Sequence, residues 1–340
     1  MKKQAPPTLA DVATRADVST ATVSRCLNFP DQVSPSTRDR VLFAVDELGY
    51  TPNFGARVLA AKRTNTIGAI IPTMENAIFA RGLQAFQEEL KRHGFTLLVA
   101  SSSYQEEIEE EQIRKLVSRG ADGLLLIGAH RSKEVYQFLE QQKIPVVLSW
   151  VYQPDLKTHS VGFDNCAAMK ELTKQVLDFG HRRIAVISAA THNNDRAYQR
   201  VLGIKKALQD AGLTNKNLTI HETSYGIDEG AEAFKQIMSD PIKPTVILCG
   251  NDVLAAGAMR QANSMGIKIP RDVSITGFDD IQLASIVTPP LTTVHVPHRR
   301  MGMEAAQALV KLVSGNEPTE NNKKLETTLC IRGSLGPVCN

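Results

Sequence analysis

Apolar runs of strand length alternate with amphipathic runs of helical length from residue 66 onward, and this alternation limits the possible folds more than any other feature. The run at 67–71 is apolar throughout, which is typical of a strand buried on both faces of a parallel sheet. Further strands are expected at 96–100, 123–127, 145–149, 161–163, 184–188, 218–220, 245–249, 273–278 and 325–332. The helices are expected at 78–92, 105–119, 133–142, 165–179, 196–211, 228–239, 252–265 and 299–314. The pattern predicts an α/β body of two doubly wound lobes with parallel sheets.

The size and composition of the chain agree with this fold class. A chain of 340 residues fits two or three domains, since a typical domain has about 100–200 residues. Apolar residues make up 42% of the chain and charged residues 22%. This is ordinary for a globular protein and argues against disorder and fibrous repeats.

Targeting segments and a disulfide framework are not expected. No apolar run approaches the ~20 residues that cross a bilayer, and no apolar stretch follows Lys2 and Lys3. The five cysteines are scattered and form no CxxC pair, so we expect free thiols rather than disulfides or a zinc site. These features predict a cytoplasmic protein without membrane contact.

The net positive charge is concentrated in the first fifth of the chain. Residues 1–63 hold nine Lys and Arg against six Asp and Glu, and the charges of the remaining residues balance. This segment therefore holds the whole net charge of +3. A basic head on a neutral body predicts a module that binds a polyanion.

The pattern of residues 8–50 predicts three short helices. Thr8, Ser19 and Ser34 each provide a favourable N-cap before an apolar-periodic run. The expected inward positions are Leu9, Val12, Ala13, Ala16, Val23, Cys26, Leu27, Val41, Leu42, Val45 and Leu48. Two short helices separated by a tight turn and braced by a third helix form an all-α helix-turn-helix head.

The second of these helices has the surface expected of a helix that enters the major groove of DNA. Thr20, Ala21, Ser24 and Arg25 face outward, and the small side chains let the backbone approach the bases. Arg25 can pair bidentately with guanine, and the Thr20 methyl group can touch thymine. The alternative is a plain three-helix bundle in which Arg25 is merely solvated.

The connector at 52–65 joins the head to the body. Asn53 can cap a short helix that extends to Ala61. A helix of about nine residues is too short to be stable alone in water. This segment is therefore expected to need a partner before it becomes helical.

Polar side chains follow the predicted strands, where ligands bind in open α/β sheets. They and the aromatic residues near them are Asn76, Phe79, Trp150, Asp164, Asn194, Asp195, Arg196, Arg200, Asn251, Asp252, Asp279 and Asp280. Amides, carboxylates and arginines beside an aromatic ring suit a polyol or a sugar. Taken singly, Asn251 with Asp252, or Asp279 with Asp280, could equally well cap the helix that follows.

Arg196 and Arg200 stand four residues apart at the start of one predicted helix. Two guanidinium groups on one helix face can clamp a carboxylate or a phosphate. The alternative is that Arg196 pairs with Asp195 or faces solvent.

An enzymatic function is not indicated by any motif. The sequence has no GxGxxG after a strand, no P-loop, no GxSxG, no HExxH and no metal-ligand cluster. We therefore expect no catalysis, no cofactor and no metal. A sugar-modifying enzyme is the alternative from a different class, and a periplasmic sugar carrier would leave the basic head unexplained.

The sequence resembles the lactose/galactose repressor (LacI/GalR) family along nearly its whole length. The motifs are Thr8–Ala13, Val18–Arg25, Val33–Ser34, Thr37–Arg38, Leu48–Asn53, Gly250–Asp252, Gly277–Asp280 and Pro289–Val294. The resemblance implies a periplasmic-binding-protein-like body whose lobes are joined by three crossovers. The expected divisions are a DNA-binding domain at 1–51, a hinge at 52–65, an N-terminal effector-binding lobe at 66–164 and 292–323, and a C-terminal lobe at 165–291 and 324–340.

The resemblance also implies which residues touch DNA. Thr20, Ala21 and Arg25 would contact base edges of an operator. The other expected DNA-binding residues are Thr8, Leu9, Ser19, Thr22, Ser24, Asn28, Thr37, Asn53, Arg57, Leu59 and Ala60. In the family the connector is a hinge helix that pairs with its copy on the operator, and Leu59 holds the position of a wedge in the minor groove. The alternative is that Leu59 is an ordinary apolar linker residue.

The family holds a small-molecule effector at the positions of Arg200, Asn251 and Asp279. The expected effector site consists of Asn76, Phe79, Trp150, Asp164, Arg196, Arg200, Asn251 and Asp279. The spacing from Arg196 to Gly203 and the stretch at 161–165 are most similar to the gluconate-repressor branch. This similarity favours a sugar acid or a phosphorylated sugar over a neutral sugar.

The expected mechanism is that of a homodimeric repressor of genes for sugar or sugar-acid use. Two copies would set two heads on a pseudo-palindromic operator. An effector between the lobes would favour one lobe arrangement over the other, acting as inducer or corepressor. The stretch at 333–340 contains no leucine heptad, so dimers are expected rather than tetramers.

Overall fold

A computed structural model describes residues 6–51, 63–75 and 77–338 of the chain. The chain divides into two compact units, Met1–Thr64 and Asn65–Asn340. Most of the predicted connector, residues 52–62, lies outside the described ranges.

The described part of the first unit, residues 6–51, 63 and 64, contains three α-helices and a short 3-10 turn. These are α1 (Leu9–Ala16), α2 (Thr20–Asn28), the turn Pro30–Gln32 and α3 (Pro35–Leu48). Each α-helix begins directly after its predicted cap, because the side chains of Thr8, Ser19 and Ser34 accept the N–H of the residue three positions ahead. Thr8 and Asp11 also form a reciprocal capping box. The three-helix head predicted from the caps is thereby confirmed.

One inward position of the head was predicted wrongly. The buried core consists of Val12, Ala13, Ala16, Val23, Cys26, Val41, Ala44 and Tyr50. Leu42 is 44% exposed, whereas Ala44 is buried. The helical period explains the difference: positions three and four residues after Val41 share its face, whereas Leu42 is rotated by about 100° around the helix.

The second unit contains two parallel sheets. The first sheet consists of β1 (Thr66–Ile71), β2 (Thr96–Ser101), β3 (Gly123–Ile127), β4 (Val146–Ser149), β5 (Ser160–Gly162) and β11 (Asn322–Lys324), in the order β11-β5-β4-β3-β1-β2. The second sheet consists of β6 (Ile184–Ser188), β7 (Leu218–Glu222), β8 (Val246–Cys249) and β9 (Ser274–Thr276), in the order β7-β6-β8-β9. The strands pair in parallel, which confirms the doubly wound α/β body.

Helices cover the faces of both sheets. They are α4 (Ala77–Arg92), α5 (Glu106–Ser118), α6 (Lys133–Gln141), α7 (Asn165–Asp178), α8 (Asp195–Asp210), α9 (Ile227–Ser239), α10 (Asp252–Ser264), α11 (Leu283–Ile286) and α12 (His298–Val313). Their bounds agree with the predicted helices to within one or two residues, except that the short α11 was not predicted. No helix in the described part of the chain is long and apolar enough to cross a bilayer.

Three chain segments connect the two lobes. The first follows β5, and the other two contain β10 (Thr293–His295) and β12 (Thr328–Cys330), which pair antiparallel. The strand predicted at 325–332 is shorter in the structure, where β12 covers only Thr328–Cys330 and pairs with β10, and the preceding strand β11 in the first sheet was not predicted. β11 pairs with β5 although it is polar, so no apolar run marks it in the sequence. The predicted lobe boundary at 323/324 falls inside β11.

Candidate nucleic-acid interface and ligand cleft

The outer face of α2 presents the side chains that were predicted to contact bases. The Ser19 hydroxyl accepts the Thr22 N–H at 3.1 Å and so fixes the start of the helix. Val23 and Cys26 are buried against the other helices, which fixes the rotation of α2 about its axis. Thr20, Ala21 and Arg25 are consequently exposed on the opposite side. This surface has the small side chains and the single guanidinium that a major-groove reader needs.

The other predicted DNA-contacting residues of the head already take part in local structure. Thr8 donates to Asp11 at 2.7 Å, and this hydrogen bond lowers the pKa of the Asp11 carboxyl. Asn28 donates to the Ser24 carbonyl at 2.9 Å. Leu9 packs against the head core. These residues are therefore placed at the rim of α2 or at helix ends, where backbone N–H groups and hydroxyls suit phosphate contacts.

Two further members of the predicted set, Thr22 and Thr37, are half-buried. The Ser34 hydroxyl donates to Thr37 at 2.9 Å at the start of α3. The predicted hinge residues Asn53, Arg57, Leu59 and Ala60 lie outside the described residues.

Arg200 is the centre of a buried polar network at the carboxyl ends of the strands in the second lobe. Its Nε donates to Asn165 Oδ1 at 2.9 Å, and its Nη1 donates to the Gly250 carbonyl at 2.5 Å. Its Nη2 lies 3.6 Å from Asp279 Oδ1, and the guanidinium lies 3.8 Å from the centre of the Phe278 ring. The side chain is held in place from several directions, so it presents one fixed charge to the cleft.

Several buried polar atoms around Arg200 have no hydrogen-bond partner among the described residues. They are both carboxylate oxygens of Asp279, Nδ2 of Asn251 and the indole Nε1 of Trp150. Asp279, Asn251 and Trp150 are only 0%, 1% and 2% exposed. Buried polar groups are nearly always paired, and each unpaired group costs about 1–3 kcal/mol. Two acceptors and two donor groups collected in this way are suited to the hydroxyl groups of a ligand.

The backbone at these strand ends is also unusual. Trp150 has a φ of 60°, Asp279 of 100° and Asp280 of 52°. Positive φ values are uncommon for residues with a side chain and concentrate at ligand-binding positions.

Asp252 and Asp280, which were also singled out by the strand-end rule, have structural partners. Asp252 Oδ1 accepts the Thr293 hydroxyl at 2.6 Å, and Oδ2 accepts the Ile281 N–H at 2.8 Å. Burial raises the pKa of Asp252 to about 8. Asp280 pairs with Arg332 at 2.7 Å and with His295 Nδ1 at 2.9 Å. Both acids therefore fasten the connecting strands β10 and β12 to the second lobe.

Hydrogen bonds to Arg332 and His295 also govern the charge of Asp280. Burial alone would raise its pKa, but these two partners outweigh that effect and hold the pKa below its usual value. Asp280 therefore remains charged at neutral pH.

Other predicted effector residues support the polar network or lie apart from it. The Phe79 ring packs edge-on against Trp150, with 5.4 Å between the ring centres. Asp164 caps α7 by accepting the Ala167 N–H at 2.9 Å. Asn76 lies outside the described residues.

Arg196 pairs with Asp195 at 2.9 Å, which is the alternative that the sequence left open. Arg196 and Arg200 each have protein partners, so neither guanidinium is free to form the predicted clamp in this arrangement. An effector role for Arg196 stays a prediction.

A cavity of about 830 Å³ is lined by loops of both lobes. Its hydrogen-bonding walls include Thr73 and Ser103 of the first lobe and Asn194 and Thr223 of the second. The cavity has the size of a site for a small molecule.

Tyr104 and Tyr225 meet across the cleft, with 5.5 Å between their ring centres. Burial raises the pKa of both phenols, so they remain protonated and can donate hydrogen bonds. The charges of Arg200 and Asp279 act on both rings, so the tyrosines adjoin the cavity and the polar network alike. Neither tyrosine is in the predicted site, although they follow β2 and β7, where the strand-end rule selects residues.

Comparisons with known proteins find similarity in both units of the chain. Residues 8–53 match the family model described as bacterial regulatory proteins, lacI family, and residues 173–335 match the periplasmic binding protein-like domain. The chain is similar to the HTH-type transcriptional repressor CytR of Escherichia coli strain K12, with 32% identity over 98% of this chain and 97% of the relative.

Two further similarities cover nearly the whole chain. The HTH-type transcriptional regulator GntR of Escherichia coli strain K12 is 32% identical over 98% of this chain and 100% of the relative. A crystal structure of the lac repressor dimer bound to operator and the anti-inducer ONPF has a TM-score of 0.86 and 26% identity, covering 98% of this chain and 100% of that chain.

Proposed function

The chain belongs to the lacI family of bacterial regulatory proteins and is a DNA-binding transcriptional regulator, and we propose that it is a homodimeric repressor controlled by an effector bound between its lobes. The controlled genes would serve the use of a sugar or a sugar acid. Binding of effector would shift operator affinity only through its different affinity for the two lobe arrangements. The relatives are regulators, which disfavours the alternative of a sugar-modifying enzyme.

One observation carries the effector part of this proposal. Polar atoms of Asp279, Asn251 and Trp150 that have no hydrogen-bond partner among the described residues are buried near Arg200 at the strand ends, and Asp279 contacts Arg200 only as an ion pair at 3.6 Å. Their burial without hydrogen bonds is unfavourable in the free protein, and a ligand that supplies hydrogen bonds recovers that free energy. Hydroxyl groups both donate and accept, so a polyhydroxylated molecule satisfies the Asp279 oxygens and the two N–H donor groups together.

The proposal includes more than one class of effector. The similarity to the gluconate-repressor branch and the spacing of Arg196 and Arg200 favour a sugar acid. The pairing of Arg196 with Asp195 supports the other candidate, a neutral sugar or another uncharged polyol. A phosphorylated sugar or a corepressor belongs to the same set of alternatives.

For the DNA side we propose that Thr20, Ala21 and Arg25 contact base edges and that the rim residues of the head contact phosphates. Exposure of these three side chains on one face of α2 supports the assignment. Two heads of a dimer would then contact half-sites about 34–36 Å apart, or a multiple of that distance. Minor-groove insertion of Leu59 and the domain limits at 51, 65, 164, 291 and 323 remain part of the proposal. The repressor would act in the cytoplasm.

The test combines operator selection with a metabolite screen on the full chain. Selection from random duplexes should return a pseudo-palindromic sequence. Sugars, alditols and aldonic acids are then added to the protein on this duplex, and release or tightening is followed by fluorescence anisotropy. Selection without enrichment of any sequence would refute the DNA part. An unchanged affinity with every compound would refute control by a sugar or sugar acid.

A further inference from the structure

Asp195 and Arg196 stand at the start of α8 in the second lobe, yet their side chains reach the first lobe. Asp195 Oδ2 accepts the Ala129 N–H at 2.6 Å, and Arg196 Nη1 donates to the Ile127 carbonyl at 3.2 Å. Ile127 ends β3, and Ala129 lies two residues later in the turn that follows it. The two residues therefore bridge the lobes by hydrogen bonds to backbone groups, without a side chain of the first lobe.

The bridge is largely shielded from water. The side chains of Asp195 and Arg196 are 13% and 12% exposed. Asp195 Oδ1 also accepts from the Arg196 backbone N–H and from its Nη1, both at 2.9 Å. Burying an ion pair is unfavourable unless further hydrogen bonds satisfy it, and here those bonds come from the opposite lobe. The pair keeps these additional hydrogen bonds only while the lobes are together.

The turn in the first lobe is fitted to receive this pair. Gly128 has a φ of 77°, which favours glycine. A Cβ at Gly128 would collide with Arg196 Nη1 and would lie 2.6 Å from Asp195 Oδ1. A residue with a side chain would therefore strain the backbone and push the ion pair out of its place.

Arg131 supports the same turn from within the first lobe. Its Nη1 donates to the Gly128 carbonyl at 2.6 Å, and its Nη2 donates to the Ile127 carbonyl at 2.9 Å. Its side chain is 2% exposed and is paired with Glu109 at 2.8 Å. The carbonyl and N–H groups that face the second lobe are therefore held in a fixed orientation before the lobes meet.

We propose that Asp195 and Arg196, docked on the turn Ile127–Ala129, form a latch that holds the two lobes together and that they do not bind the effector. The latch positions the walls of the cleft, and the positive charge of Arg196 is paired with Asp195. Loss of the latch lowers the population of the arrangement in which the two lobes are in contact. The affinity of every effector that binds this arrangement falls by the same factor, whatever the charge of the effector. The latch does not depend on the identity of the effector or of the operator.

The test is amide hydrogen exchange on the full chain, with Asp195→Ala as the variant and Asp210→Ala as its matched control. Asp210 is the last residue of α8 and pairs with Lys170 of α7 at 2.6 Å, within one lobe. We expect exchange at Ala129 to rise at least tenfold in Asp195→Ala and to stay unchanged in Asp210→Ala. The readout is on the opposite lobe from the mutation, so local fraying of α8 does not produce it.

Asp195→Asn provides the conservative comparison. It keeps one oxygen that can accept the Ala129 N–H, so protection should lie between those of the wild type and Asp195→Ala. This variant also replaces Asp195→Ala in the assay if the latter does not fold. Unchanged exchange at Ala129 in the folded Asp195 variants would overturn the latch. Equal acceleration in the Asp195 and Asp210 variants would also overturn it, since that result reports general destabilisation. Operator binding by the same samples tests the proposed function separately.

Discussion

Replacement of Arg200 by alanine tests how the polar network of the cleft is held together. The substitution removes hydrogen bonds to Asn165 and to the Gly250 carbonyl, and it leaves the Asp279 carboxylate, 0% exposed, without the ion pair that it forms among the described residues. Removing one partner of a buried ion pair costs about 3–5 kcal/mol, because the remaining charge is buried and uncompensated. We expect a loss of this size in the free energy of unfolding, together with loss of the effector response.

The size of the loss can be assigned to the buried charge by a double-mutant cycle. Asp279→Asn in the Arg200→Ala background removes the uncompensated charge, so the double variant should be more stable than the sum of the single effects by about 1–3 kcal/mol. Arg182→Ala is the control, since Arg182 donates to the Leu177 and His181 carbonyls and forms no ion pair within the described residues. It should show a smaller loss and a normal effector response.

The assay is urea unfolding followed by circular dichroism, with operator binding measured on the same samples by mobility shift. Operator binding should survive in Arg200→Ala, because the head has its own core. A loss below about 1 kcal/mol, or strict additivity of the two substitutions, would show that the buried charge pair does not hold the network as argued. Loss of operator binding together with the effector response would indicate misfolding instead.

Three further predictions address the head, the buried acid of the second lobe and the assembly. Arg25→Ala should weaken binding to the selected operator by about 1–3 kcal/mol and leave binding to a scrambled duplex nearly unchanged; an equal loss on both duplexes would contradict base recognition. Asp252 has a pKa of about 8 in the folded chain, against about 3.9 in the unfolded chain, so the folded state binds the extra proton between these values. Its contribution to stability is full below about pH 4 and is lost as the pH rises towards 8, by about 1.4 kcal/mol per pH unit. Urea unfolding between about pH 5 and pH 7 should therefore show a steeper decline for the wild type than for Asp252→Asn, and parallel declines would refute the shift. Light scattering should give the mass of a dimer, and a tetrameric mass would refute the proposed assembly.

The sequence by itself determined most of the helices and strands and their approximate ends. The apolar run of β1 and the amphipathic runs beside it fix strands and helices through periodicity, which is a local property of the chain. Thr8, Ser19 and Ser34 mark three helix starts because their side chains bond to N–H groups only three residues away. The strand-end rule located Arg200 and Asp279 for the same reason, since the end of a strand can be recognised from its own residues.

Only the tertiary structure decided how these residues pair. The polar strand β11 joins the first sheet by pairing with β5, which is distant in sequence. No local sequence pattern predicts that pairing. Asp195 could have faced solvent or an effector, and its contact with the Ala129 N–H depends on two lobes meeting. Tyr104 and Tyr225 likewise meet from separate lobes. Periodicity in the sequence indicates which side of a helix or strand is apolar. Hydrogen bonds and ion pairs between distant residues depend on interatomic distances, and these are set only when the lobes pack.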